Sequence, residues 1–133
     1  MRKKQEERQL TRAEMEIMNT LWDRCQEGKS GMTTHEIIEL CPEPKPAYST
    51  IATFLKILIN KGFIQSKKYE GGGKTFVYSP LITREEYTNR VMKEVKSTFF
   101  AGSLKSMLSF FVKQEEVSED ELHEIMALIN KKE

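Results

Sequence analysis

Apolar side chains recur every three or four positions in the N-terminal half of the chain, a spacing that predicts amphipathic helices. The first helix should begin at Thr11, which forms a capping box with Glu14, and its apolar stripe runs on to Trp22 and Cys25. A shorter helix should begin at a second capping box, Thr33–Glu36. Three closely spaced prolines then end it in a stiff turn.

The next apolar stripe predicts a helix from about Tyr48 to Lys61, with Gly62 as its C-terminal stop. Its apolar positions are Ile51, Phe54, Leu55, Leu58 and Ile59. At about 100° per residue, the opposite face carries Ser49, Thr53, Lys56 and Asn60. One face of this helix is therefore committed to the core, and the other is a polar surface.

Two short segments rich in aromatic and β-branched residues follow, at 63–70 and 75–80. The three glycines between them, Gly71–Gly73, permit the positive φ angles that a tight hairpin turn requires. Three helices followed by a hairpin predict a winged helix, in which the third helix is the recognition helix and the hairpin is the wing.

Positive charge is concentrated on this part of the chain. The whole chain has a net charge of only +1, whereas residues 45–80 hold six lysines and one acidic residue, Glu70, a local charge of +5. Residues 1–82 carry +3 and residues 83–133 carry −2. We therefore expect only the N-terminal part to meet a polyanion.

The order of elements, the polar helix face and the local charge together predict binding to double-stranded DNA. The recognition helix would enter the major groove, and the wing lysines would meet phosphates, which adds affinity but little sequence information. The predicted DNA-contacting residues are Tyr48, Ser49, Thr50, Thr53, Lys56, Asn60, Lys67, Lys68 and Lys74. Each has a plainer interpretation, since Ser49 can equally be a helix cap and a surface lysine can be only a solvated charge. The alternative function is therefore a winged-helix protein-interaction module.

The C-terminal third is predicted to be helical and unusually apolar. Capping boxes at Thr83–Glu86 and Ser118–Glu121 begin two helices, and a Phe-rich stretch at 99–112 lies between them. So few residues cannot bury these groups alone. They could pack on the first module, but a second copy of the chain is the better outlet, because a two-fold interface lets each patch cover its twin. The predicted dimer residues are Tyr87, Val91, Val95, Phe99, Phe100, Leu104, Met107, Leu108, Phe110, Phe111, Leu122, Ile125, Met126 and Ile129.

No combination of residues typical of an enzyme or a metal centre occurs in the sequence. His35 and His123 are the only histidines and lie in different modules, and nucleophile, phosphate-loop and zinc-protease motifs are lacking. Cys25 and Cys41 have no close Cys or His companions, which favours small buried side chains over a metal or disulfide role. We therefore predict no catalytic residue, no cofactor and no metal. A cytoplasmic location without membrane insertion is expected, because the chain has neither a secretory signal nor an apolar run of about 20 residues.

A series of short motifs follows an order and spacing typical of one known family. These motifs are Leu10-Thr-x-Ala-Glu14, Ile17-Met18 with Leu21-Trp22, Ala47-Tyr-Ser-Thr-Ile51-x-Thr53-x-Leu55, Lys61-Gly62, Phe76-x-Tyr78-x-Pro80 and Gly102-Ser-Leu-Lys-Ser-Met107. Each is weak alone, but together they cover nearly the whole chain after residue 9. The chain resembles the penicillinase repressor family (BlaI/MecI type).

The resemblance implies a homodimeric repressor that binds an inverted-repeat operator, such as that of an antibiotic-resistance or stress-response operon. It places Ser49, Thr50 and Thr53 among the DNA contacts. The expected fold is mainly α with a small β-hairpin. It comprises a charged arm at 1–9, a winged-helix DNA-binding domain at 10–82 and a helical dimerisation domain at 83–133.

The resemblance also bears on how the repressor is switched off. In antibiotic-responsive members of the family, a membrane sensor protease leads to cleavage at an Asn–Phe bond in the dimerisation helix. The aligned pair here is Phe110–Phe111, a candidate cleavage position that lacks the Asn. Copper-responsive relatives carry Cys-x-Cys motifs near the C-terminus, whereas this chain has no cysteine after Cys41. The operator sequence, the regulated genes and the inducer stay open.

Overall fold

The computed structural model describes residues 9–114 and 117–131. Contacts between residues divide the chain into two units, the first ending at Tyr87 and the second beginning at Thr88. Helices and one antiparallel hairpin make up the regular structure of the described residues, so the predicted fold class is confirmed. The elements are α1 (Arg12–Gln26), α2 (Thr34–Glu39), α3 (Tyr48–Asn60), β1 (Ile64–Lys68), β2 (Phe76–Pro80), α4 (Arg84–Phe100), α5 (Leu104–Gln114) and α6 (Glu119–Lys131).

Capping boxes begin the first two helices, as the sequence predicts. Thr11 Oγ1 accepts a hydrogen bond from the backbone N–H of Glu14 at 3.2 Å, and the backbone N–H of Thr11 donates to Glu14 Oε1 at 2.9 Å. Thr33 and Glu36 repeat this reciprocal pair at the start of α2. Each box satisfies two amide groups that a helix start otherwise leaves without partners.

The wing is a two-stranded hairpin in which Ile64 pairs with Pro80 and Lys68 pairs with Phe76. Its turn uses positive φ angles at Gly72 and Gly73, 98° and 81°. A third short segment also pairs with β2. Met32 and Tyr78 exchange two backbone hydrogen bonds of 2.9 and 2.8 Å. The sequence does not predict this bridge, because a single extended residue after a glycine-rich break carries no alternating pattern.

The core of the first unit is apolar and draws on α1, α2, α3, β1, the bridge residue Met32 and the first turn of α4, whereas no residue of β2 is buried. Its buried apolar residues are Ile17, Met18, Leu21, Trp22, Met32, Ile37, Ile51, Leu55, Leu58, Phe63, Ile64 and Tyr87. The Trp22 indole donates a hydrogen bond to the carbonyl of Ile82 at 2.9 Å, so this large side chain is satisfied as well as buried.

Two sequence expectations about buried and exposed residues are wrong. Tyr87 was expected at the dimer interface, but it is 6% exposed and lies in the first unit, with its ring against Trp22 and Phe63. Cys25 was expected to be buried, but it is exposed because the last turn of α1 extends beyond the core. Cys41 is partly buried.

The second unit consists of the rest of α4 together with α5 and α6. Positive φ angles at Ala101 and Gly102, 50° and 79°, end α4, and Ser103 Oγ then caps α5 by accepting from the N–H of Ser106. None of the described residues of this unit is buried. No helix in the described ranges is long and apolar enough to cross a membrane.

Candidate nucleic-acid interface

The recognition helix α3 separates an apolar face from a polar face, but Ile59, which the sequence places in the apolar stripe, is 37% exposed near the end of the helix. Ile51, Leu55 and Leu58 are buried against the rest of the first unit. The four polar residues of the opposite face, Ser49, Thr53, Lys56 and Asn60, are all exposed. The core contacts therefore hold the helix in place while hydroxyl, amide and ammonium groups point outward.

The first turn of α3 is left open. Ala47 occupies the N-cap position, and no side chain caps the helix. Ser49 is therefore not a cap. The positive end of the helix dipole and the first amide groups remain available to an anion such as a DNA phosphate.

Two threonines of α3 occupy different positions relative to the polar face. Thr53 lies on that face, and its hydroxyl donates to the Ser49 carbonyl at 2.8 Å, which leaves the oxygen free to accept from a base or a water. Thr50 lies on the flank, where it lines a cavity of about 500 Å³ between α1, α2 and α3. Thr53 is therefore the better placed of the two for base contact.

Tyr48 is brought against a residue of α2. Its ring centroid lies 5.1 Å from that of His35, and both residues are exposed. This contact joins the start of α2 to the start of α3 and places a phenol and an imidazole side by side. Both groups can donate hydrogen bonds to phosphate oxygens.

The wing presents its lysines on both faces. Lys67 pairs with Val77, and Lys68 pairs with Phe76. Successive residues of a strand point to opposite faces, so these two exposed lysines cannot both face one surface through their strand positions. Lys74 is exposed in the segment just before β2.

Two lysines of the basic segment have internal partners that the sequence does not reveal. Lys45 Nζ donates to the carbonyls of Ile38, Glu39 and Cys41 at 3.3, 2.8 and 3.0 Å, which satisfies the C-terminal end of α2. Lys61 Nζ lies 2.7 Å from Glu14 Oε1. The charge that faces outward is therefore carried mainly by Lys56, Lys67, Lys68 and Lys74, and the local charge of +5 overstates it.

The Glu14 carboxylate is ionised in spite of its burial. Burial raises the pKa of Glu14, but the hydrogen bond from Lys61, the hydrogen bonds with Thr11 and the charge of Lys61 together outweigh that effect. The pKa therefore lies below its ordinary value of 4.5.

The groups that could hold a metal ion are dispersed, and no cluster of three or more His, Cys, Asp or Glu occurs in the described residues.

Known proteins resemble this chain over almost its entire length. The family model described as penicillinase repressor matches residues 10–131. The methicillin resistance regulatory protein MecI of Staphylococcus aureus (strain N315) is 29% identical over 124 residues, which cover 93% of this chain and 95% of that protein. The penicillinase repressor of Bacillus licheniformis is 30% identical over 122 residues, which cover 91% of this chain and 89% of that protein. The chain therefore belongs to the penicillinase repressor family.

Proposed function

We propose that the protein is a homodimeric transcriptional repressor that binds an inverted-repeat operator, one half-site for each winged helix. The observation that carries this proposal is the exposed polar face of α3, held on a winged helix in a chain of the penicillinase repressor family. A role in DNA binding rather than catalysis also agrees with the relatives named above.

Base recognition by each half-site would be modest. The outward face of α3 offers short hydroxyls, one amide and one lysine, without an arginine for bidentate contact to guanine. Lys67, Lys68 and Lys74 would add phosphate contacts that carry no sequence information. A single winged helix of this kind gains selectivity mainly by acting together with a second one.

Dimerisation through the second unit is supported by its exposed apolar surface. The apolar side chains that α5 and α6 leave exposed include Leu104, Leu108, Phe110, Phe111, Leu122, Ile125, Met126 and Ile129. None of the described residues of this unit is buried in the single chain. A unit without a core needs a partner to be stable, and a second copy supplies a matching surface. The sequence places the start of the dimerisation domain at residue 83, whereas the second unit begins at Thr88, so residues 88–133 would form this domain and the winged helix that begins at residue 10 would bind DNA.

Joining two winged helices in one dimer would make the repressor switchable. The second winged helix binds at a high local concentration once the first is bound, so a dimer can exceed the affinity of one half-site by about 10²–10⁴-fold. Any event that separates the dimer would release the operator. Cleavage of α5 at Phe110–Phe111 after a signal from a membrane sensor protease would be one such event in the cytoplasm, although this pair lacks the Asn of the bond cleaved in antibiotic-responsive relatives.

The proposal is tested by selecting bound duplexes from a random-sequence library and measuring their affinity by fluorescence anisotropy at two salt concentrations. We expect the selected sites to contain an inverted repeat. Thr53→Ala and Lys56→Ala should weaken binding to a selected site, with Thr50→Ala as a flank control that has a smaller effect. Failure to select any site, or equal binding by all variants, would favour a protein-interaction module.

A further inference from the structure

The ion pair between Lys61 and Glu14 is the most buried one among the described residues. Only 3% of the Glu14 side chain and 17% of the Lys61 side chain are exposed, and Nζ lies 2.7 Å from Oε1. Lys61 Nζ also donates to the carbonyl of Gln9 at 3.1 Å. The ammonium group is therefore bound to two oxygens from residues that lie far from it in the sequence.

The same carboxylate oxygen serves two helices. Glu14 Oε1 accepts from the backbone N–H of Thr11 in the capping box of α1, and it accepts from Lys61 at the end of α3. Lys61 is the C-cap residue of α3, and its own N–H donates to the carbonyl of Ile57 at 2.9 Å. The start of α1 and the end of the recognition helix are therefore held by one group.

A second contact fixes the segment formed by Gln9, Leu10 and Thr11. The backbone N–H of Leu10 donates to the Tyr87 hydroxyl at 2.9 Å. The Tyr87 ring packs on Phe63, with centroids 5.6 Å apart, and Phe63 follows the glycine that ends α3. The Lys61 ammonium group therefore attaches α3 to a segment that the core itself holds in place.

The opposite end of α3 has no comparable attachment through a helix cap, because Ala47 provides no side-chain hydrogen bond there. Besides its core face, the helix is held at its start by the exposed ring contact of Tyr48 with His35, and at its C-terminal end by the buried ion pair of Lys61. A helix of this length spans about 20 Å, so a rotation of about 10° at Lys61 would move the first turn by about 3 Å. Such a shift exceeds the tolerance of a hydrogen bond to a base.

We propose that Lys61 is a positioning residue for operator binding: it fixes the direction of the recognition helix through Glu14 and Gln9, and it does not contact DNA. This inference rests on the proposed function. It distinguishes Lys61, which orients the recognition helix, from lysines such as Lys56 that are proposed to meet DNA.

The test compares Lys61→Met with Lys56→Met, a matched removal of an exposed lysine from the same helix. Affinity for a selected operator duplex is measured at several salt concentrations, at a temperature where circular dichroism shows each variant folded. We expect Lys61→Met to weaken binding about tenfold. We expect the slope of log affinity against log salt to stay at the parent value, because no phosphate contact is lost. Lys56→Met should make that negative slope less steep.

A double variant, Glu14→Gln with Lys61→Met, separates positioning from stability. Lys61→Met alone leaves the buried carboxylate of Glu14 without its counter-ion, whereas the double variant has no buried charge at this pair, so its urea midpoint should recover relative to Lys61→Met. Its operator affinity should stay low, because the attachment of α3 is still missing. This variant also keeps the comparison possible if Lys61→Met does not fold. Affinity that recovers together with stability would overturn the proposal, as would parental affinity in a folded Lys61→Met.

If the slope of log affinity against log salt becomes less steep for Lys61→Met, as it does for Lys56→Met, the proposal is also overturned, because Lys61 would then be a phosphate contact. If the parent protein selects no operator, the proposed function itself fails and the inference fails with it. Parental binding that Lys61→Met leaves unchanged overturns the inference alone.

Discussion

Glu14 and Glu36 hold equivalent places in two capping boxes, and their protonation couples helix capping to pH. The pKa of Glu36 is lowered first by the backbone hydrogen bond from Thr33, with a smaller contribution from the charge of Arg24. The pKa of Glu14 is lowered because the bonds to Lys61 and Thr11 outweigh the effect of burial. The ionised form of both carboxylates is therefore more stable, relative to the protonated form, in the folded chain than in the unfolded chain.

The sign of the pH dependence follows from these lowered pKa values. A carboxyl whose pKa is lower in the folded state stabilises the fold fully above its unfolded pKa, near 4.5, and the stabilisation is lost as pH falls through the folded pKa. We expect the free energy of unfolding to decrease as the pH is lowered below about 4.5. Urea titrations at a series of pH values should show a smaller decrease in the free energy of unfolding for Glu14→Gln and for Glu36→Gln than for the parent. Equal decreases in the parent and the variants would contradict this account.

Residue roles were predictable only where the partners are close in the sequence. The capping glutamates lie three positions from their threonines, so a motif reveals them. Lys61 and Glu14 are separated by 47 positions, and Leu10 and Tyr87 by 77. No periodicity connects such pairs, so the sequence predicts neither the ion pair of Lys61 nor the core position of Tyr87.

At the scale of elements, the approach of Met32 to β2 depends on a glycine. A Cβ added at Gly31 would lie 2.6 Å from Val77 Cγ1 and 2.8 Å from the Tyr78 carbonyl oxygen. The second neighbour is backbone and cannot rotate away. We expect Gly31→Ala to cost about 1–3 kcal/mol of stability by overpacking. Urea unfolding followed by the fluorescence of the single tryptophan measures this loss, and Ser30→Ala, at the neighbouring exposed position, should stay near the parent value.

The helices and the hairpin were predictable because their signals are local. Capping boxes, apolar stripes and the glycine at the end of α3 all act within a few residues. The bridge between Met32 and Tyr78 was not predictable, since it joins segments 46 positions apart through backbone groups alone. The recognition face of α3 was predictable for a simple reason. Once the apolar stripe is assigned to the core, the helical period places the remaining residues.

The alternation of β1 leads to a prediction about the wing lysines. Lys67 and Lys68 point to opposite faces of the strand, so only one of them should contribute a regular phosphate contact. We expect one of the variants Lys67→Gln and Lys68→Gln to make the negative slope of log affinity against log salt less steep by about 0.9, and the other to leave it unchanged. Lys45→Gln serves as a control that keeps the parental slope, because Lys45 binds carbonyls of the chain itself. Equal losses at both wing positions would contradict the alternation.

For the whole molecule, the decisive question is how the apolar faces of the second unit are covered. Met126 is 59% exposed on the apolar stripe of α6, and the neighbouring Ala127 is exposed on the opposite side of the helix. Met126→Asp would place a charge in a dimer interface, whereas Ala127→Asp would place the same charge in water. The two variants differ by one position and introduce the same side chain, so effects of helix propensity and net charge are closely matched.

We expect Met126→Asp to weaken self-association by about 100-fold, or about 2.8 kcal/mol, and Ala127→Asp to leave it near the parental value. Sedimentation equilibrium measures the association, and the fluorescence of Trp22 checks that the first unit stays folded. Affinity for the full operator should fall toward that for a single half-site, while affinity for a single half-site should not change. Equal association of both variants would mean that the stripe on α6 is not the interface. A fall in affinity for the single half-site would mean that the second unit also supports the DNA-binding surface.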